Sequence, residues 1–242
     1  MAFFGLFGNK GGASALKKHI DRVGNKRAQD VDRWASIQVL AKAGTAEAVA
    51  GLLPRFTFYV DPSITDQEEK DAAFEAIVST GDVAIDPVVA FLRKAESIAW
   101  PLKMLDALCS QEVVVGHLLS ILEGMDTEYE RDPQRKIDTI AALGERPDLR
   151  SCAVLQRFIE DTNETARFDA VGSIFAQANA ADATAALVSC HGREESLRVR
   201  NRILEGLRER KLPVEEGQRA ELQAALPATY RLDDQGVLQR SK

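Results

Sequence analysis

The chain contains few of the side chains that enzymes use for nucleophilic or metal chemistry. Its 242 residues include three histidines and three cysteines. Cys190 and His191 are neighbours, but adjacent residues on a helix point about 100° apart and would not chelate one ion together. A tetrahedral zinc site needs four ligands, and a cysteine nucleophile needs a base beside it. The sequence predicts no catalytic residue, no metal site and no cofactor.

Motifs for binding phosphate groups are also missing. The segment GNKGG at 8–12 places glycines beside Lys10, but it lacks the GK[ST] ending and the preceding strand of a phosphate-binding loop. No G-x-S-x-G elbow and no dinucleotide fingerprint occurs. We therefore interpret 8–12 as a flexible joint within an N-terminal segment over residues 1–12.

Charge is distributed unevenly along the chain. The formal net charge is −6, yet residues 1–27 hold six basic residues against one acid, a local charge of +5. Residues 28–242 therefore carry −11. An acidic body argues against general binding to the nucleic-acid backbone, which needs a continuous basic surface. This separation of a basic N-terminal part from an acidic remainder favours interactions with proteins.

Three phenylalanines cluster before any helix that would bury them, at Phe3, Phe4 and Phe7. The lysines follow this short apolar stretch instead of preceding it, so a secretory signal is not predicted. Three interpretations stay open. The cluster caps the first repeat, or it docks on a partner protein, or it makes weak, reversible contact with a membrane surface.

The cysteine count and the hydropathy indicate the compartment. Three cysteines without C-x-x-C spacing are typical of a reducing environment. No apolar run approaches the roughly 18 residues that a membrane-spanning helix needs. We expect a cytoplasmic protein.

A repeated helical pattern organises the chain. Six segments share apolar residues at helical spacing, and they recur about every 30–37 residues by our choice of landmarks. They cover 33–44, 70–81, 101–111, 135–144, 166–178 and 199–210. Shorter helical segments lie between them. Trp34 and Trp100 fall within or at the start of the apolar patterns, which predicts that they pack in the core or between repeats. Stacked antiparallel helix pairs over 13–226 are expected, because one pair cannot bury its apolar stripe alone.

Three of these segments resemble the HEAT-like repeat family. They are DTNETARFDAVGSI (161–174), DPQRKIDTIAALG (132–144) and EESLRVRNRILEGL (194–207), in which an acid in the turn precedes an arginine at the helix start. The resemblance implies an all-α, right-handed α-α superhelix of about six antiparallel helix pairs, with the second helix of each pair on the concave face. A C-terminal tail, 227–242, contains YRL and VLQ around DDQG, which permits a short hairpin or a tail without its own structure.

The resemblance implies architecture more strongly than function. The recurring charged residues form either a ladder that joins successive repeats or a binding stripe, and Arg135, Arg167 and Arg200 are the candidates for the stripe. Some HEAT-like proteins are enzymes. The di-iron hydroxylases need repeated His–Glu pairs, which are missing here. A DNA glycosylase-like or phycobilin lyase-like activity in the concave groove is the alternative to a non-enzymatic protein-binding scaffold.

Two turns are enlarged and rich in acids. They read YVDPSITDQEE (59–69) and EGMDTEYERDP (123–133), and residues 123–132 hold five acids against one arginine. Insertions at equivalent turns emerge along one edge of a solenoid. The alternative is that they are tolerated surface insertions without a partner. The candidate partner contacts in these turns are Tyr59, Asp61, Asp126, Glu128, Tyr129 and Glu130.

Overall fold

The structure, a computed structural model, describes residues 10–241, and the side chains of residues 10–14 are outside the description. The described chain is all-α, with thirteen helices and one short β-hairpin. Packing divides it into two compact units, Met1–Ser110 and Gln111–Lys242. The prediction of an all-α fold built from stacked helix pairs is confirmed, and the right-handed twist stays a prediction.

The first unit contains six helices in three pairs. They are α1 (Lys10–Val23), α2 (Asp30–Ala43), α3 (Ala46–Leu52), α4 (Ser63–Ser79), α5 (Ile85–Leu92) and α6 (Ala99–Leu108). A 3-10 turn over Leu53–Thr57 extends α3, and another over Gly81–Ala84 precedes α5.

The connection between α2 and α3 shows why these helices end where they do. Gly44 closes α2 at φ 55°, a left-handed conformation that glycine adopts without steric cost. Thr45 then caps α3, because its hydroxyl accepts a hydrogen bond from the amide of Ala48. Two adjacent residues therefore stop one helix and start the next.

The first unit is a stack in which each helix contacts the matching helix of the next pair. α1 packs on α3 and α3 on α5, while α2 packs on α4 and α4 on α6. The core between them is made of aliphatic side chains with almost no exposure, such as Ile37, Leu52, Ile77 and Leu105. This is the arrangement of a helical repeat, in which each pair covers the apolar face of its neighbour.

The second unit contains seven helices and the hairpin. The helices are α7 (Gln111–Glu123), α8 (Gln134–Gly144), α9 (Ser151–Leu155), α10 (Glu164–Ala176), α11 (Thr184–Arg193), α12 (Leu197–Glu209) and α13 (Glu216–Ala225). A 3-10 turn over Gln156–Glu160 follows α9, and another over Ala180–Ala183 precedes α11. The strands are β1 (Tyr230–Leu232) and β2 (Leu238–Arg240).

Small and polar residues allow close approach of α8, α10 and α12. A Cβ atom added at Gly144 would lie 2.4 Å from the hydroxyl of Ser173, and one added at Gly206 would lie 2.1 Å from the ring of Phe175. Ser173 also donates to the carbonyl of Ile140, at 2.9 Å across the repeat boundary. The helices are therefore joined by hydrogen bonds as well as by apolar contact.

The C-terminal hairpin forms and is docked on the second unit. β1 and β2 pair antiparallel, and Leu238 is buried. The guanidinium of Arg219 on α13 donates to the carbonyls of Val214, Asp234 and Gln235. Of the two forms that the sequence allowed for this tail, the structure has the hairpin, because α12 and α13 supply the packing that an isolated hairpin lacks.

The enlarged turn predicted at 59–69 is wrong in extent. Helix α4 begins at Ser63, so the irregular connection is limited to residues 58–62. Pro62 precedes the helix, where its missing N–H removes no hydrogen bond, and Asp66 lies in the first turn, where a negative charge opposes the helix dipole. The acids of this segment therefore belong mainly to a helix.

Candidate functional site

Half of the exposed large apolar side chains belong to one stretch of the first unit's sequence. Of the ten large apolar side chains that are exposed in the described chain, five lie between residues 31 and 64. They are Val31, Trp34 and Val39 on α2, Tyr59 in the connection, and Ile64 on α4. Single exposed apolar residues are ordinary on a protein surface, whereas a group of them marks a surface for contact.

Part of this group lines a groove between α2 and α4, which we call the Trp34 groove. Its walls are Asp30, Val31 and Trp34 from α2 and Thr65, Glu68 and Glu69 from α4, and its volume is about 290 Å³. Val31 is 76% exposed and Trp34 is 42% exposed. Among the described residues, no basic side chain lines it. The groove combines an apolar wall with carboxylates.

Of the two placements predicted for Trp34, the core is wrong, because the side chain is 42% exposed and lies between α2 and α4 of successive pairs. The side of α2 that faces the core carries Arg33, Ile37 and Leu40. Trp34 follows Arg33 directly, so its side chain points about 100° away from that buried stripe. The helix therefore has apolar residues on two faces, and the stacked pairs cover just one of them.

A buried network of ion pairs supports the groove from below. The Nε atoms of Arg33 and Arg55 both donate to Oε2 of Glu69, at 2.7 Å and 2.6 Å. All three side chains are at least 98% buried. Buried charges are costly unless they are paired. These contacts therefore hold three elements in one arrangement, namely α2, α4 and the 3-10 turn that follows α3. Arg33, which the sequence offered as a surface cation, belongs to the interior.

Asp66 extends the network to the connection before α4. Its carboxylate accepts from Arg55 and from Lys70, each at 2.7 Å, and from the amide of Val60 at 3.0 Å. Burial alone would raise the pKa of Asp66, but the hydrogen bonds from Lys70 and Arg55 outweigh it and lower that pKa. Asp66 therefore stays ionised at neutral pH, and its contacts fix the start of α4.

The two predicted partner contacts in this connection are at the surface. Tyr59 is 76% exposed, and its ring covers the ammonium group of Lys70, with Nζ 3.8 Å from the ring centroid. This cation–π contact orients the tyrosine without burying it. Asp61 is exposed. Both are accessible to a partner, and their role in binding stays a prediction.

The acidic turn of the second unit, residues 124–133, is tied down by a buried lysine. The ammonium group of Lys136 lies 2.9 Å from the carbonyl of Asp126, 2.9 Å from the carboxylate of Asp161 and 3.3 Å from that of Glu130. Burial lowers the pKa of Lys136, but the hydrogen bond with Asp161 overcomes this and raises it. Tyr129 is 82% exposed and Glu128 is exposed. The turn is an ordered surface feature.

The repeated charged residues join successive repeats. Arg167 on α10 donates to Glu194, ahead of α12, through Nε at 2.7 Å and through a second nitrogen at 2.9 Å. Asp161, ahead of α10, pairs with Lys136 on α8, and Arg167 also donates to the Asp161 carbonyl. The ladder interpretation is thus confirmed for Arg167. In the preceding repeat the residue that pairs across is Lys136, while Arg135 is half-buried beside it.

The remaining predicted contacts are placed differently. Arg200 donates to the carbonyl of Ala225 at the end of α13, at 3.3 Å, so it contributes to the packing of the last helices. Phe3, Phe4 and Phe7 lie outside the described residues. The structure therefore does not bring the described members of the predicted site together in one place, and none of those described members lines the Trp34 groove.

The environments of Cys190 and His191 are not those of a nucleophile and its base. Burial raises the pKa of the Cys190 thiol to about 11, the opposite of what thiolate chemistry needs. Burial, with the nearby positive charge of Arg200, lowers the pKa of His191 to about 4. The thiol points to the carbonyl of Ile159, while the imidazole lines a small cavity next to α13. Within the described residues no group of three or more His, Cys, Asp and Glu side chains is arranged to hold a metal ion.

Sequence reasoning missed the groove because its repeated segment began at residue 33, after Val31, and because it did not expect Trp34 at the surface. The sequence did carry a signal, because α2 has more apolar residues than one buried stripe needs. Val31, Ala35 and Val39 follow one helical line, and Ile37 and Leu40 follow another. A helix with two apolar lines in a stack that buries one is a sequence mark for a contact surface.

Comparison of the chain with protein-family models and with curated proteins finds no match. The HEAT-like assignment therefore stays a prediction from the residues that suggested it. Among the residues that the structure describes, none of the helices has the length and apolar character required to cross a bilayer.

Proposed function

We propose that this protein is a non-enzymatic binding scaffold, and that the Trp34 groove accepts an apolar segment of another protein. The observation that carries the proposal is that two exposed apolar residues, Val31 and Trp34, line one wall of the same groove, and that exposed Ile64 directly precedes Thr65, which lines the other wall. Tryptophan is the residue type most enriched at the energetic centres of protein interfaces. A helical repeat offers such a surface without any bond chemistry.

The support beneath the groove favours binding to a preformed surface. Arg33 on α2 and Glu69 on α4 are in direct contact below it, and both are buried. A rigid wall loses little conformational entropy when a partner docks, which leaves more of the contact energy for affinity. Because the apolar area is modest, we expect a reversible complex, with a dissociation constant in about the micromolar-to-millimolar range.

The second unit supplies a further candidate contact, the acidic turn with Tyr129 at its surface. Its four acids suit a basic partner, and its attachment through Lys136 presents them in a fixed arrangement. We place the scaffold in the cytoplasm. The support for this is that Cys109, Cys152 and Cys190 are all free thiols.

The proposal is tested by selecting from a displayed random-peptide library against the full-length protein, with a Trp34→Ser variant for counter-selection. We expect enriched apolar peptides whose affinity falls about thirtyfold in the variant, because truncating an interface tryptophan costs about 2 kcal/mol. Val83→Ser is the matched control, since Val83 is an exposed apolar residue of the same unit that does not line the groove. If no peptide distinguishes the wild type from Trp34→Ser, the groove is not a binding site.

A further inference from the structure

The chemistry of the Trp34 groove indicates which kind of segment it accepts. Two carboxylates, Asp30 and Glu68, lie at its exposed margins. Glu68 makes no hydrogen bond or ion pair with the described residues, and the side chain of Asp30 accepts just the amide of Val31, at 2.8 Å. Both negative charges are therefore available to a ligand.

A third carboxylate lies deeper. Glu69 lines the groove and is 1% exposed. Its Oε2 accepts from both Arg33 and Arg55, but its Oε1 is buried with no hydrogen-bond partner among the described residues. A buried acceptor without a donor is unfavourable, at about 1–3 kcal/mol, so a site next to it favours a ligand that donates hydrogen bonds.

The buried cations do not reverse this charge. The network under the groove contains Arg33, Arg55 and Lys70 against Asp66 and Glu69, a net charge of +1. The two marginal carboxylates bring −2, so the surroundings keep a net charge of −1, with the negative groups nearest to the solvent. An approaching ligand meets the carboxylates first.

The apolar wall is suited to the same ligand. Trp34 is 42% exposed, and an indole ring is the best aromatic partner for a cationic side chain. Lysine and arginine also have long aliphatic stems that pack on apolar surface while the charged end stays polar. Val31 offers that surface beside Trp34. One side chain can therefore satisfy both halves of the groove.

We infer that the Trp34 groove binds a partner-protein segment in which a lysine or arginine stands between apolar residues. The stem of the basic side chain lies along Val31 and Trp34, and its charged group lies between Asp30 and Glu68. This inference rests on the proposed function, because it names the partner chemistry of the same groove. It is distinguished from that function by comparing ligands that differ in charge alone.

The experiment uses the full-length protein with Trp100→Phe, which leaves Trp34 as the one tryptophan. Three synthetic peptides, acetyl-Gly-Ser-Leu-X-Leu-Ser-Gly-amide with X lysine, glutamine or glutamate, are titrated while the Trp34 fluorescence is recorded. We expect the lysine peptide to bind about fivefold to tenfold more tightly than the glutamine peptide, the range for two exposed charge pairs, and the glutamate peptide to bind weakest. High salt should reduce the preference.

Matched variants identify the carboxylates responsible. Asp30→Asn with Glu68→Gln should abolish the preference for the lysine peptide over the glutamine peptide. Glu47→Gln with Glu75→Gln removes two exposed charges of the same unit outside the groove, and should keep the preference. Far-UV circular dichroism and the melting temperature confirm that each variant is folded.

The outcomes are separable. Equal affinity for all three peptides would overturn the charge assignment and leave the groove as an apolar binding site. A lysine preference that survives Asp30→Asn with Glu68→Gln would also overturn it. If none of the peptides changes the Trp34 fluorescence, both the inference and the function proposed for the groove are wrong.

Discussion

Burial of His191 makes the stability of the second unit depend on pH. The imidazole is 1% exposed, and neither ring nitrogen has a hydrogen-bond partner among the described residues. It lies next to a cavity of about 50 Å³ that Gln218, Glu221 and Leu222 also line, and Arg200 is the nearby positive charge. Burial, with the charge of Arg200, lowers its pKa from 6.5 to about 4, so the folded protein keeps the ring neutral.

The size of the effect follows from proton linkage. Because the pKa is lower in the folded state, the unfolded chain takes up a proton below pH 6.5 that the folded chain takes up near pH 4. The free energy of unfolding is therefore highest above this interval and falls as the pH decreases through it. At about 1.4 kcal/mol per pH unit, His191 should cost about 2 kcal/mol by about pH 5 and about 3 kcal/mol by about pH 4.

The assay is urea unfolding followed by far-UV circular dichroism at neutral and mildly acidic pH, for the wild type and His191→Leu. Leucine fills a similar apolar space and cannot be protonated, so the variant should lose about 2 kcal/mol less than the wild type between about pH 7 and about pH 5. Carboxylates whose pKa values are lowered in the folded state, such as Glu194, also reduce the free energy of unfolding at acid pH, but they do so equally in both proteins. Parallel losses in the two proteins would refute the reasoning, because they would mean that His191 accepts a proton without leaving its site.

Two further predictions concern the packing of the second unit. Lys136→Met leaves the buried carboxylate of Asp161 unpaired and should lower the free energy of unfolding by about 3–5 kcal/mol. Adding Asp161→Leu should recover most of that loss, as measured by urea unfolding. A double variant no more stable than the single one would contradict this. Gly206→Ala puts a methyl group against the ring of Phe175 and should lower the free energy of unfolding by about 1–3 kcal/mol. Gly217→Ala is the control, because open space surrounds that position, and it should be neutral or stabilising. Equal melting temperatures for the two variants would contradict the close packing at Gly206.

Much of the helical order was predictable because it depends on local periodicity. The six repeated segments correspond to α2, α4, α6, α8, α10 and α12, with ends that agree within three residues except at the start of α4, which lies seven residues before the predicted 70. Helices pair and stack when each has an apolar stripe, and the spacing of the apolar residues shows that stripe directly. The terminators were also visible, since Gly44 and Gly81 both have positive φ.

The sequence misled where charged residues belong to the interior. For Arg33 and Lys136 the residue type favours the surface, since charged side chains are rarely buried alone. Their partners, Glu69 and Asp161, lie 36 and 25 residues away. The periodicity of one helix does not show whether another helix supplies a residue of opposite charge. It therefore could not predict that these two residues are buried.

The sequence by itself determined the all-α class, the alternation of helices and the absence of familiar catalytic motifs, because these depend on neighbours along the chain. The tertiary structure alone decided that Trp34 faces outward, that Asp30 and Glu68 lie beside it, and that the recurring charges of the second unit pair across repeats. The physical reason is that a stack buries one face of each helix, and which face that is depends on contacts between residues far apart in the chain.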